Sequence, residues 1–168
     1  GQTSPCLTCP EKSSNFLHVA KRICEANGSL LILDEMITGF RWSLEGAAAY
    51  FGVQPDLLTF GKAMANGFAV AAVVGRRDVM EAGSIWPEGS ERVFLLSSTH
   101  GAEMAGLAAF METVDIYREE AVVDHLWEFG KQLVNELKVR IDSGGYGDFV
   151  CLEGPALAPS LVFRDASG

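Results

Sequence analysis

The sequence predicts an α/β protein built around a largely buried sheet. Short, continuous apolar runs of strand length alternate with longer stretches of helical periodicity, the pattern of strands separated by packed helices. Hydrophobic residues make up 48% of the chain and stand beside 18 glycines, a composition that fits a packed globular protein and not a disordered or fibrous one. At 168 residues there is length enough to bury a substantial apolar core.

Residues 1–12 carry Pro5, Pro10, Cys6 and Cys9 without any period, and read as an irregular N-terminal segment. Ser13 or Ser14 is placed to cap a helix whose apolar positions Phe16, Leu17, Val19, Ala20, Ile23 and Cys24 share a face, with Gly28 placed to end it. Leu30-Leu31-Ile32-Leu33, stopped by Asp34-Glu35, reads as a strand buried on both faces. A short helix over 45–51 and a turn at Gly52-Val53-Gln54-Pro55-Asp56 lead to a second apolar run, Leu57-Leu58-Thr59-Phe60, with Lys62 just beyond it. Residues 69–74 and 93–96 supply two further apolar runs. The cluster Ser97-Ser98-Thr99 then opens an Ala-rich helical stretch over 101–117. In the next helix Val122, Leu126, Phe129, Leu133 and Leu137 recur at helical spacing, Gly144-Gly145-Tyr146-Gly147 breaks the pattern, and Leu161-Val162-Phe163 offers a last strand.

A formal charge of −9 disfavours nucleic acid and anionic membrane as partners, since either needs a field of the opposite sign. No apolar run is long enough to span a bilayer, and the N-terminus lacks the layout of a secretory signal, so the expected location is cytoplasmic. Cys6 and Cys9 form a lone C-x-x-C with no second pair to complete a zinc site, and Cys24 and Cys151 read as reduced structural thiols. No metal site is expected.

Ligands of open α/β sheets lie beyond the carboxyl ends of the strands, where Asp34 and Lys62 each follow an apolar run. A partly desolvated lysine there presents a free amine able to attack an aldehyde. A carboxylate beside a pyridine nitrogen keeps it protonated, so that the ring withdraws electrons from a neighbouring carbanion. Taken singly, Asp34 also reads as a turn or cap residue and Lys62 as a surface amine. Ser98 and Thr99 before a helix suit either an anion or a simple N-cap. His100 beside them reads as structural, Glu35 and Arg41 either line the site or form structural ion pairs, with an ion pair favoured for Arg41, and His18 and His125 have no assigned role.

The string L-L-I-L-D-E-M-I-T-G-F-R at 30–41 resembles a motif of the class III aminotransferases, fold-type-I enzymes dependent on pyridoxal 5'-phosphate (PLP). Y-F-G-V-Q-P-D-L-L-T-F-G-K at 50–62 is a second ordered match, followed by A-A-V-V-G-R-R-D-V-M at 71–80. The T-G-F-R form is most similar to the branch containing glutamate-1-semialdehyde aminomutase. The resemblance covers roughly residues 14–140 and implies a mostly parallel central sheet flanked by helices. It further implies that residues 13–120 are part of a large PLP-binding domain and that 121–168 hold a linking helix and the start of a small C-terminal domain, the whole being a central piece of such an enzyme.

By the same resemblance Lys62 forms the Schiff base with PLP and shuttles a proton, while Asp34 holds the pyridinium. Met36 stands where the family usually has a valine against the ring face, or else is an ordinary core side chain. Thr99, with Ser98, is implied to bind the cofactor phosphate of a neighbouring subunit, hence a homodimer, although the family's usual continuation T-x-x-G-N-P reads T-H-G-A-E here. The implied function is transfer of an amino group to or from a small amino acid, amine, oxo acid or aldehyde, as an aminotransferase or aminomutase. A different transaminase or a racemase within the family, and a noncatalytic α/β interaction module or inactive fragment outside it, stand as alternatives.

Overall fold

A computed structural model describes residues 15–84, 101 and 103–164. The segment 1–12, the caps expected at Ser13 or Ser14, the strand expected at 93–96, and Ser98, Thr99 and His100 lie outside the described residues. The chain divides into two compact units, one running to Asp115 and the second from Ile116.

In the first unit, helix α1 spans Phe16–Ala26. Its N-cap is Asn15, whose side chain accepts from the Leu17 amide at 2.9 Å. Asparagine satisfies an orphan helix donor as well as serine does, which is why the run Ser-Ser-Asn did not single out the cap. The other end closes as expected on Gly28 at φ 63°, where the amides of Gly28 and Ser29 return to the carbonyls of Glu25 and Cys24. Leu17, Ala20 and Cys24 are half-buried, whereas Phe16 and Ile23 of the expected apolar face are exposed.

Strand β1 (Ile32–Asp34) runs parallel to β2 (Leu57–Phe60), with Ile32, Leu33 and Asp34 opposite Leu57, Leu58 and Thr59. The crossover between them contains the short helix α2 (Ala47–Phe51), closed by Gly52 in the left-handed region. Strand β3 (Ala72–Gly75) folds back antiparallel on β2, so the three-stranded sheet is mixed, with one parallel and one antiparallel pairing. The expectation that β1 is buried on both faces is corrected: Ile32 is 56% exposed and Leu30 48%. Among the described residues β1 is the edge strand of the sheet, and Ile32, on one of its faces, is left largely uncovered.

One face of β2 is covered. Phe60 meets Phe40 edge-on at 5.8 Å between centroids, and Phe40 meets Phe110 of helix α4 (Met104–Glu119) at 6.0 Å. Gly106 of α4 admits the Ala69 carbonyl, 3.1 Å from where a Cβ would stand. Helix α3 (Arg77–Met80) follows β3 directly.

At the amino edge of this sheet a single carboxylate ties four segments together. Asp56, 2% exposed, accepts from the Leu31 amide at 2.8 Å, Lys21 of α1 at 3.1 Å and Arg76 beyond β3 at 2.5 Å. Its own amide donates to Leu31 O, and its carbonyl accepts from the Arg76 amide. These donors, led by the Leu31 amide and then Arg76 and Lys21, hold its carboxyl well below the usual carboxylate range.

In the second unit, α5 (Val122–Ser143) is followed by a hairpin of β4 (Val150–Glu153) and β5 (Ser160–Phe163), antiparallel with Val150 opposite Phe163. The better-covered stripe of α5 is Leu126, Trp127, Gly130, Val134, Leu137 and Ile141, while Phe129 and Leu133 of the expected stripe are exposed. Gly130 decides that rotation, for it is buried against the backbone of Ala156 and Leu157, and only a residue without a side chain lets that loop approach so closely.

Asp56→Ala is expected to lower the melting temperature by about 10 °C or more at neutral pH, because it strands a buried amide and two cations. The carboxylate's contribution is fully present above its ordinary value of 3.8 and is withdrawn as pH falls through the lower folded value, so melts recorded against pH should show the variant and wild type converging below about pH 4. Gly130→Ala gains about 1 kcal/mol of helix propensity, but a Cβ 2.6 Å from the Ala156 carbonyl carbon outweighs it. Denaturant titration should show a net loss of stability.

Candidate functional site

The parallel pairing of β1 with β2 brings the carboxyl ends of both strands to one edge. Asp34 is the last residue of β1, and Lys62 lies two residues past the end of β2. Both side chains are exposed there. The positive charge of Lys62 is among the influences that lower the Asp34 carboxyl, after the hydrogen bonds from the Met36 amide and the Thr59 hydroxyl. The partial desolvation expected of Lys62 is not supplied by the described residues.

Lys62 opens a single 3₁₀ turn, Lys62–Met64, with φ of 47°. The left-handed region is costly for a side chain of this kind and persists only where its surroundings enforce it. Those surroundings are close at hand: Ala63, Met64 and Ala65 are buried, the Met64 amide donates to Gly61 O, and the Met36 thioether lies against the Cα of Gly61. A Cβ at Gly61 would meet the methyl group and sulfur of Met36. Met36 therefore packs beside the lysine-bearing turn, half-buried, at the edge where Asp34 ends.

The two adjacent carboxylates of the D-E pair have separate tasks. Asp34 Oδ1 accepts from the Met36 amide and from Thr59 Oγ1, each at 2.9 Å, and the side chain faces solvent. Glu35 is 2% exposed and accepts from the amides of Ala47 at 2.9 Å and Ala48 at 2.6 Å, and from the Thr38 hydroxyl. It thus caps the N-terminus of α2 from a distance, and Gly46 at φ 93° leaves room for its carboxylate. Of the two readings for Glu35, the structure places it in the loop's framework, through hydrogen bonds and, among the described residues, not an ion pair. Arg41 is half-buried and forms no ion pair among the described residues, so the ion pair expected for it is not found there.

Sequence reasoning missed Thr59, Gly61 and Asp56. The Asp34-Thr59 contact depends on strand register, which no local pattern states; Gly61 carries no signal of the Met36 side chain packed against it; Asp56 reads as a turn residue following proline. A described cleft of about 410 Å³, lined by His18, Lys21, Gln54, Asp56 and Arg76, lies at the opposite, amino edge of the sheet. Its charged groups are already paired: Lys21 and Arg76 with Asp56, and His18 Nε2 hydrogen-bonded with Phe51 O at 2.8 Å.

With this geometry in place, comparison with known proteins assigns the family. The model of the family "Aminotransferase class-III" matches residues 10–144, and the chain belongs to it. It is 37% identical over 149 residues to 3-aminobutyryl-CoA aminotransferase of Cloacimonas acidaminovorans, covering 89% of this chain and 34% of that protein. It is 35% identical over 157 residues to glutamate-1-semialdehyde 2,1-aminomutase 2 of Lachnoclostridium phytofermentans, covering 87% of this chain and 34% of that protein. Among solved structures, the PLP internal aldimine form of the FumI protein of Sphingopyxis sp. MTA144 superposes with a TM-score of 0.77 at 27% identity, over 89% of this chain and 34% of that one. The chain spans about a third of the length of the relatives it matches. The α/β fold and the family expected from the sequence are thereby established.

Glu35→Gln tests the division of labour within the D-E pair. Replacing one buried acceptor oxygen by an NH₂ group facing helix amides should cost about 1–3 kcal/mol of stability. Hydrogen exchange at the Ala47 and Ala48 amides should accelerate, while the lowered titration of Asp34 persists in a carboxyl NMR titration.

Proposed function

We propose that the protein bearing this chain transfers amino groups with PLP, with Lys62 as the covalent anchor and proton carrier and Asp34 as the partner of the ring nitrogen. The observation that carries this reading is the convergence of an exposed lysine and an ionised, hydrogen-bonded carboxylate at the carboxyl edge of two parallel strands. The residues present fit the cofactor in kind: an amine for its aldehyde and an anionic acceptor for its ring N–H. When bound, PLP supplies an electron sink that stabilises negative charge on the substrate carbon beside the nitrogen.

Lys62 would hold the cofactor through its Nζ amine, and when not engaged there the same amine would take and return a proton beside the reacting carbons. The enforced backbone of its turn limits where the amine can reach. Asp34, with its carboxyl held low by the Met36 amide and Thr59, would stay ionised and keep a proton on the nitrogen of a bound ring. Met36, packed against Gly61, would offer an apolar, polarizable surface to a ring held at this edge.

The finer assignments rest on the family resemblance and on the relatives' names. They are an aminotransferase or aminomutase reaction on a small amino acid, amine, oxo acid or aldehyde, and a homodimer in which Ser98 and Thr99 bind the cofactor phosphate across the subunit boundary; the cytoplasmic location is the sequence's own expectation. The net charge of −9 supports small-molecule substrates over nucleic acid or membrane surfaces.

Borohydride reduction of the PLP-loaded full-length protein, followed by peptide mass spectrometry, should place the modification on Lys62. Lys62→Ala should abolish that adduct and slow amino-group transfer at least about a hundredfold. Labelling elsewhere, or none in a folded protein, contradicts the assignment.

A further inference from the structure

Asp34 and Thr59 are direct partners across the parallel strands, and their side chains emerge on the same face of the sheet. The Thr59 hydroxyl donates to Asp34 Oδ1, and the Met36 amide donates to the same oxygen, both at 2.9 Å. These two donors come from different segments, strand β2 and the loop after β1. Together they occupy the accepting capacity of Oδ1 and fix the carboxylate plane, which a lone aspartate leaves free to rotate. Oδ2 receives no hydrogen bond among the described residues, and the side chain is exposed at the edge occupied by Lys62. The carboxylate is thus held by one oxygen and offers the other.

We propose that Thr59 is a positioning residue, whose hydroxyl locks Oδ1 of Asp34 so that Oδ2 is aimed at the protonated nitrogen of a bound heteroaromatic ring. This inference rests on the PLP reading above. Threonine suits the task because branching at Cβ restricts its side-chain rotation, so the strand backbone itself aims the hydroxyl. The backbone reinforces the arrangement, for the Thr59 carbonyl accepts from the Glu35 amide at 2.9 Å, and Asp34 cannot slip in register without breaking that bond. The Met36 amide alone would leave Asp34 held on one side. The hydroxyl, donating to Oδ1, also favours the ionised carboxylate and helps hold the Asp34 carboxyl below its usual value.

Thr59→Val keeps the shape and removes the donor; Thr59→Ser keeps the donor. In the full-length protein without cofactor, a carboxyl NMR titration should show the Asp34 midpoint moving upward in Thr59→Val and staying lowered in Thr59→Ser. In the loaded enzyme, Thr59→Val should lower kcat about tenfold, the worth of one hydrogen bond to a charged group, with little change in KM, and should shift the pH at which the bound cofactor's absorption spectrum changes. Thr59→Ser should restore both. If Asp34→Asn alters the cofactor's spectrum and affinity while Thr59→Val matches wild type in titration, spectrum and kcat, the positioning role is overturned and the PLP reading stands. If Asp34→Asn changes neither spectrum nor affinity, the PLP reading of Asp34 itself fails. A Thr59→Val protein with an unmoved Asp34 titration but lower thermal stability would mark Thr59 as structural, and also overturn the proposal.

Discussion

The candidate site depends on the register between β1 and β2, and that register is held from below by Asp56. A buried carboxylate is costly unless its lone pairs are filled, and here an amide, an ammonium and a guanidinium fill them. Because those donors come from α1, the start of β1 and the end of β3, the arrangement cannot be satisfied with β2 shifted along β1. A slip of β2 by one residue would turn its side chains to the opposite face of the sheet. It would also separate Asp34 from Thr59 and change which residue of β2 reaches the edge beside it. The amino edge of the sheet is therefore where the carboxyl edge is decided.

A second buried acid performs the corresponding task at the carboxyl edge. Glu35 anchors the loop after β1 to the N-terminus of α2, so the chain leaving Asp34 turns sharply and brings the Met36 amide back to Asp34 Oδ1. Met36 then lies on Gly61, which shapes the turn carrying Lys62. Register, loop anchor and turn form one sequence of contacts from Asp56 to Lys62. The chain that carries this exposed pair belongs to the class-III aminotransferases.

Much of this was legible in the sequence where the signal is local. The run Leu57–Phe60 coincides with β2, Gly28 closes α1, and the residues with reactive groups, Asp34 and Lys62, stand where apolar runs end. What escaped was set by partners distant along the chain. Strand β4 went unnoticed because Val150, Cys151 and Leu152 make a short run that is stabilised by pairing with β5. The rotation of α5 was set by the loop at Ala156 against Gly130, not by the strongest hydrophobic spacing. The exposure of Ile32 went against the expected burial because a continuous apolar run records the covering a strand calls for, whichever residues provide it. Thr59 was invisible as a contact until register placed it opposite Asp34.

One lysine and one carboxylate from adjacent parallel strands are proposed to share a single ligand. The most direct measurement is a crystal structure of the full-length protein grown with PLP. The account predicts electron density continuous from Lys62 Nζ to the cofactor, with Asp34 Oδ2 within hydrogen-bonding distance of the ring nitrogen. A cofactor joined to another lysine, or bound with its ring nitrogen turned away from Asp34, would contradict it.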